Sequence, residues 1–288
     1  MSSNKDNMKR IMKIASAAVL IVLMAASCRG EGEKTFEITE SFSSIEVDGS
    51  ETNIILKPSP DGKIRVVVDE KNSVYYTAEV EKGVLKVERH KRAIDFNIFS
   101  LGDKKVEIMV EDKVYRNVSI SVASGKIEIE EGVKAEDMDL SSSSGNIKVY
   151  STVRGELEAT TTSGNMDIEI KGEMEKLELS TKSGSLFLSL SEAEEVQLES
   201  TSGTIKVSEV KAKEKMTISS ASGSVRLDKC DGGEINIETT SGSVKGTLLS
   251  SKAFDAASVS GSVSVPSSKG KDECTIRTVS GSIDISLE

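Results

Sequence analysis

Apolar and polar residues alternate along most of this chain, and beyond residue 117 the alternation is organised by a recurring Ser-Gly pair. Its glycines are Gly125, Gly145, Gly164, Gly184, Gly203, Gly223, Gly242, Gly261 and Gly281, spaced by 20, 19, 20, 19, 20, 19, 19 and 20 residues. Two and four residues after each glycine stand apolar pairs such as Ile127/Ile129, Met166/Ile168 and Ile283/Ile285, interrupted only at Val244/Gly246. Seven and five residues before it stands a second set, including Val118/Ile120, Leu177/Leu179, Phe254/Ala256 and Cys274/Ile276. Period-2 alternation on both sides of the pair means a strand on both sides, with the inward positions changing phase at the glycine. A phase change without a long loop marks a bulge or tight corner, where glycine is expected because it takes positive φ without a Cβ clash. The seven or eight residues left between units read as connecting loops.

A fixed period that repeats the same strand context predicts an all-β fold. Each unit is one coil of a right-handed parallel β-helix, or β-solenoid, with about nine coils of 19–20 residues. Three residues before each glycine the column reads Val122, Ser142, Thr161, Thr181, Ser200, Ser220, Thr239, Ser258 and Thr278. These positions face inward, so their hydroxyls are expected to bond to neighbouring coils or backbone, since an unpaired buried hydroxyl costs about 1–3 kcal/mol. The period covers residues 118–288. Residues 36–117 alternate without it and read as a β-rich N-terminal cap. The last inward pair, Ile283/Ile285, lies close to Glu288, which suggests end-to-end self-association through an uncovered coil at 272–288.

The first 27 residues stand apart. Lys5, Lys9, Arg10 and Lys13 precede an uncharged run from Ile14 to Ser27 that is too short for the ~20 helical residues of a membrane span. Small residues then lead into Cys28. The segment resembles a bacterial lipoprotein signal peptide, and the resemblance implies lipidation of Cys28, a tether over residues 28–35 and attachment to a membrane of the bacterial cell envelope, at the outer membrane or cell surface. Removing residues 1–27 lowers the 37 basic and 47 acidic residues to 33 and 46, a net charge of −13. So acidic a body gives no reason to expect a nucleic-acid partner.

Composition narrows the chemistry. The ten aromatics include no tryptophan, and His90 is the single histidine. A multi-histidine metal site is therefore excluded, and the repeated serines, each without a histidine in its unit, read as structural rather than nucleophilic. No motif calls for a cofactor or a metal. Acidic clusters at Glu136/Asp137/Asp139, Glu173/Glu175/Glu178 and Glu192/Glu194/Glu195 have lysines beside them, as in a solvated mixed-charge face. Seven aromatics lie in the cap. Tyr75, Tyr76, Phe96 and Phe99 are candidates for a recognition patch, although scattered aromatics more often pack in a core. On the solenoid wall Phe187 should point outward between Asp167 and Lys206, a candidate glycan contact. Cys230 and Cys274 fall in different columns about two coils apart, too far for a disulfide.

The lipoprotein-like start, the β-rich leader and units such as Ser202-Gly203-Thr204-Ile205-Lys206-Val207 resemble the bacterial "putative adhesin" family of domains of unknown function, over about residues 36–288. The resemblance implies a non-catalytic, adhesin-like binding rod with a protein or glycan partner at the cell surface. It brings no catalytic or binding residues. A structural or regulatory envelope scaffold is the alternative, and a carbohydrate-active β-helix enzyme the third reading.

Overall fold

The computed structural model describes residues 32–70, 74–91, 104–267 and 269–288. Among them the regular structure is entirely β, one sheet of 22 strands wound into a solenoid. Consecutive coils run parallel and in register: Leu157/Ala159 lie beside Leu177/Leu179, which lie beside Val196/Leu198. Beyond the corner, Met166/Ile168 lie between Ile147/Val149 and Leu186/Leu188. All of these side chains are buried. Each coil thus adds only a few aliphatic side chains to the core, each worth about 1.5–3 kcal/mol on burial.

Every repeat glycine packs against a backbone carbonyl of the neighbouring coil. A Cβ on Gly145 would sit 1.7 Å from the Gly125 carbonyl oxygen, and one on Gly184 would sit 1.8 Å from that of Gly164. Positive φ, the reason for glycine expected from the phase change, occurs in this column only at Gly125 and Gly203, both at 153°. Close approach of the coils is what excludes a side chain. The same carbonyls accept the hydroxyls of the Ser/Thr column: Thr161 Oγ1 donates to Gly145 O at 3.2 Å, Thr181 Oγ1 to Gly164 O at 3.3 Å and Thr278 Oγ1 to Gly242 O at 3.1 Å. Two members differ. Ser220 Oγ accepts from Gly223 N at 2.9 Å, and the buried Ser142 Oγ has no hydrogen-bond partner among the described residues.

The connections expected as loops form a third side of the coil. Strands Met166–Ser183, Leu186–Ser202 and Val225–Thr239 run straight through them. Register shifts at Ile170/Glu173, Ala193/Glu195 and Ala212/Lys215 mark the bends. Met174, Ala193 and Ala212 face inward there and are buried. Each bulge resets the alternation, so this side carries no continuous period-2 pattern in the sequence.

The stack starts before the Ser-Gly repeats. Strands Ser44–Ser50 and Asn53–Pro58 form a coil in register with Val114–Val122 and Ile127–Ile129, and the Thr52 carbonyl fills the corner against Gly125. Val84–Lys91 and Lys105–Val110 form the next layer out. Val74–Glu81, Ile64–Glu70 and Gly32–Ile38 join it through antiparallel pairs and complete the cap. Residues 36–117 therefore hold a solenoid coil as well as a cap.

At the opposite end the coils leave chain order. The 232–248 coil pairs with strands Glu273–Thr278 and Ile283–Leu287, and these pair on their other side with Ala253–Ser258 and Val263–Ser264. Residues 272–288, expected at the end of the rod, lie inside it; the end coil is 253–264. This order places Cys274, Ile276, Ile283 and Ile285 in full burial and leaves Phe254, Ala256 and Val265 only partly covered. The more apolar coil takes the doubly covered layer.

Lys252 pins the step across that layer. It is fully buried, and its Nζ donates to Gly232 O at 2.5 Å and lies 2.7 Å from Asp231 Oδ1 and 3.2 Å from Asp272 Oδ2. Burial alone would raise the Asp231 pKa, but hydrogen bonds from Lys252, Ser250 and the Gly232 N–H outweigh it and hold the carboxyl below its usual value. A depressed folded-state pKa supplies stability that is present above the unfolded value and is lost as pH falls through the folded one.

Two outcomes follow for denaturant titration. Gly184→Ala should cost at least about 3 kcal/mol through overpacking against backbone, while Ser183→Ala on the same corner should stay within about 0.5 kcal/mol. Lys252→Met should cost about 3 kcal/mol near neutral pH by stranding the Asp231 carboxylate. Its deficit relative to the parent should shrink as pH drops below about 4, where Asp231 becomes neutral in the variant.

Candidate functional site

Two surface regions carry side chains suited to recognition. A groove of about 660 Å³ runs along the rod over its C-terminal coils, on the side that leads into the glycine corners. Its floor is the Ser/Thr column, Ser200, Ser220, Thr239, Thr278 and Ser258. One rim carries Glu199, Ser219, Glu238, Arg277 and Ala257, and the other carries Thr201, Ala221, Thr240, Val279 and Val259. Strand alternation produces both rims, because the positions flanking an inward hydroxyl must face solvent. Arg277 is held by the Asp255 carboxylate and by the Asp255 carbonyl at 2.6 Å. Along the second rim the groove changes from hydroxyls at Thr201 and Thr240 to the exposed valines Val279 and Val259 near the rod's end.

The second region surrounds Phe187, which is 41% exposed. Asp167 and Lys206 flank it in register on the adjacent coils, as the alternation predicts. Tyr150 Oη donates to Asp167 Oδ2 at 2.9 Å, and this bond to a carboxylate raises the phenol pKa. Tyr150 was not singled out from sequence; its five-residue offset from Gly145 places it on the same wall as Phe187.

The cap residues do not assemble into one patch. Tyr75 and Tyr76 are neighbours on a strand and face opposite ways. Tyr75 is half-buried and stacks on His90 with centroids 4.9 Å apart, whereas Tyr76 is buried with its Oη 2.7 Å from Thr52 Oγ1. Phe96, Phe99 and Cys28 lie outside the described residues.

Two of the acidic clusters on the wall, at 173–178 and 192–195, are engaged by lysines. Lys213 Nζ lies 3.2 Å from Glu173, 3.5 Å from Glu192 and 3.3 Å from Glu194, and hydrogen bonds to Glu173 and Glu194 raise its pKa. Among the described residues no cluster of His, Cys, Asp or Glu is arranged to hold a metal ion. Cys230 and Cys274 are both free and buried, and burial pushes their thiols up to about 11 and about 12. Thiols held so far above neutral pH are poor nucleophiles.

Comparison with known proteins places this geometry among similar chains. The profile of the Toastrack DUF4097 family matches residues 42–228 and again residues 155–288, overlapping as a repeated unit permits. A structure described as a putative adhesin from Parabacteroides merdae is 18% identical, with 89% of this chain and 96% of that one covered and a TM-score of 0.55. Another, described as a putative lipid binding protein from Parabacteroides distasonis, is 18% identical, with 89% and 98% covered and a TM-score of 0.52. At that identity the likeness is one of fold. A search of curated proteins gives no match.

Proposed function

The chain belongs to the Toastrack DUF4097 family, and on that premise we propose that it is a lipid-anchored protein of the bacterial cell envelope, a non-catalytic rod that holds a surface glycan along its C-terminal groove. The observation that carries the reading is the chemistry of that groove. Inner coils spend their backbone donors and acceptors on the coils either side, so an extended peptide laid across them finds no strand edge to join. The rim hydroxyls of Thr201, Ser219 and Thr240, the Glu199 and Glu238 carboxylates and the Arg277 guanidinium are what remains. These groups are matched to a ligand that presents hydroxyls at short intervals. Phe187 and Tyr150 on the neighbouring wall add apolar faces of the kind sugars stack on.

Attachment through Cys28 accounts for the leader. A lipid there would hold the cap end toward the membrane, because the chain enters the described structure at Gly32 within the cap. The groove would then face away from the bilayer, at the far end of the rod.

One experiment tests both halves. Ala221 is exposed in the groove, and Ala221→Trp should abolish binding on an envelope-glycan array, by tenfold or more, with the melting temperature unchanged. The parent should release its bound glycan chemically intact. Cys28→Ala should move the protein from the membrane to the soluble fraction. Full glycan binding by Ala221→Trp would remove the groove from the reading, and a cleaved glycan would replace the binder with an enzyme.

A further inference from the structure

We propose that the 253–264 coil is a self-association surface, through which two copies of this chain join end to end about a two-fold axis. The inference is independent of what the groove binds.

The end coil differs from every coil below it. Ala253–Ser258 pairs on one side with Glu273–Thr278, and Val263–Ser264 with Ile283–Leu287. Among the described residues the outer side carries a single bridge, from Lys269 to Ala253. Ala253 and Val259 donate their N–H groups inward, to Asp272 O and Thr278 O. Alternation therefore turns the backbone groups of Phe254, Ala256 and Ser258 toward the open end. Inward positions that are buried elsewhere are uncovered here: Val263 is 43% exposed, and Phe254 and Ala256 are only partly covered.

Charge identifies the occupant. Residues 256–268 read AASVSGSVSVPSS and carry no charge, in a chain that is 29% charged with a net charge of −10. Edge strands are ordinarily guarded by lysines or other charges; here the charges stand only at the start of the edge, at Lys269 beside Ala253 and at Asp255 paired with Arg277, and none follows over 256–268. Two copies repel one another over most of their surfaces and lose that repulsion only where their uncharged ends meet. An identical edge on each copy pairs antiparallel by a two-fold rotation, and that operation closes the assembly at a dimer.

The internal segments of the same chain outside the described residues do not fit the role, and residues 1–31 are the alternative that the test below distinguishes. Residues 71–73 and 92–103 are both rooted in the cap at the opposite end. The stack between is on the order of 40 Å long at about 4.8 Å per coil. Twelve residues of chain held at both ends reach out at most about 20 Å even when fully extended.

The test uses the full chain carrying Cys28→Ser and Val259→Cys, in which residue 259 offers the one exposed thiol. A short bismaleimide should give a dimer joined 259 to 259. Its yield should rise several-fold between about 20 and about 500 mM salt, as screening weakens the repulsion between acidic bodies. Phe187→Cys, on the wall, should give no dimer. Val263→Lys should return the sedimenting mass from twice the 30.8 kDa monomer to the monomer, with melting unchanged. A monomer at all protein and salt concentrations, a cross-link from 259 into residues 1–31, or an open ladder of multimers would each overturn the proposal.

Discussion

The rod depends on the contact between each repeat glycine and the carbonyl oxygen of the coil beneath it. With a Cβ-to-oxygen distance of 1.7–2.0 Å at the corners from Gly145 onward, no residue but glycine lets the coils close to the spacing of a parallel ladder. The same carbonyl receives the Ser/Thr hydroxyl three residues upstream in most coils. One oxygen thus forces the small residue and satisfies the buried polar one, which ties the whole S/T-x-x-Gly signature to a single point in space. Backbone pairing and aliphatic burial then repeat coil by coil, so the fold needs few aromatics.

That economy has consequences for the surface. Inner coils consume their backbone hydrogen bonds internally, and the outer faces are left to side chains. On the wall these are lysines and carboxylates that bridge neighbouring coils, as Lys213 does for Glu173, Glu192 and Glu194. Beside the corners they are hydroxyls, which line a groove. At the C-terminal end of the stack the backbone of 253–264 itself becomes surface, and from residue 256 onward that coil carries no charge.

The parts of this structure that repeat were legible in the sequence. Glycine spacing, the paired aliphatic columns and the hydroxyl column led to a solenoid whose coils align in register, and alternation placed Phe187 between Asp167 and Lys206. What escaped were the departures from repetition. The 44–58 coil turns at Glu51-Thr52, after a bulge at Gly49, without a Ser-Gly pair. The third side of each coil is hidden by bulges. The reversed order of the last two coils was invisible because 253–264 and 273–287 carry the same corner signature, and spacing does not tell a step of one layer from a step of two. What separates them is energetic: the isoleucines and Cys274 gain by being covered on both sides, and Lys252 finds Asp231 and Asp272 only when the chain steps over. The groove was missed for a different reason, since its rims read individually as ordinary solvent-facing serines, threonines and acids.

Stacking in register through the glycine corners, with the final coils in exchanged order, is tested most directly by disulfide trapping along one column. Ser282 lies next to both neighbours: its N–H is 3.3 Å from Ser243 Oγ, and its Oγ is 3.2 Å from Ser262 Oγ. Cysteine pairs at 243/282 and at 262/282 should oxidise rapidly to intramolecular disulfides. The pair at 243/262, separated by a whole layer of roughly 10 Å, exceeds the reach of the bond and should remain reduced. Efficient closure of 243/262 together with failure of 243/282 would mean that the coils follow chain order, and would contradict the account.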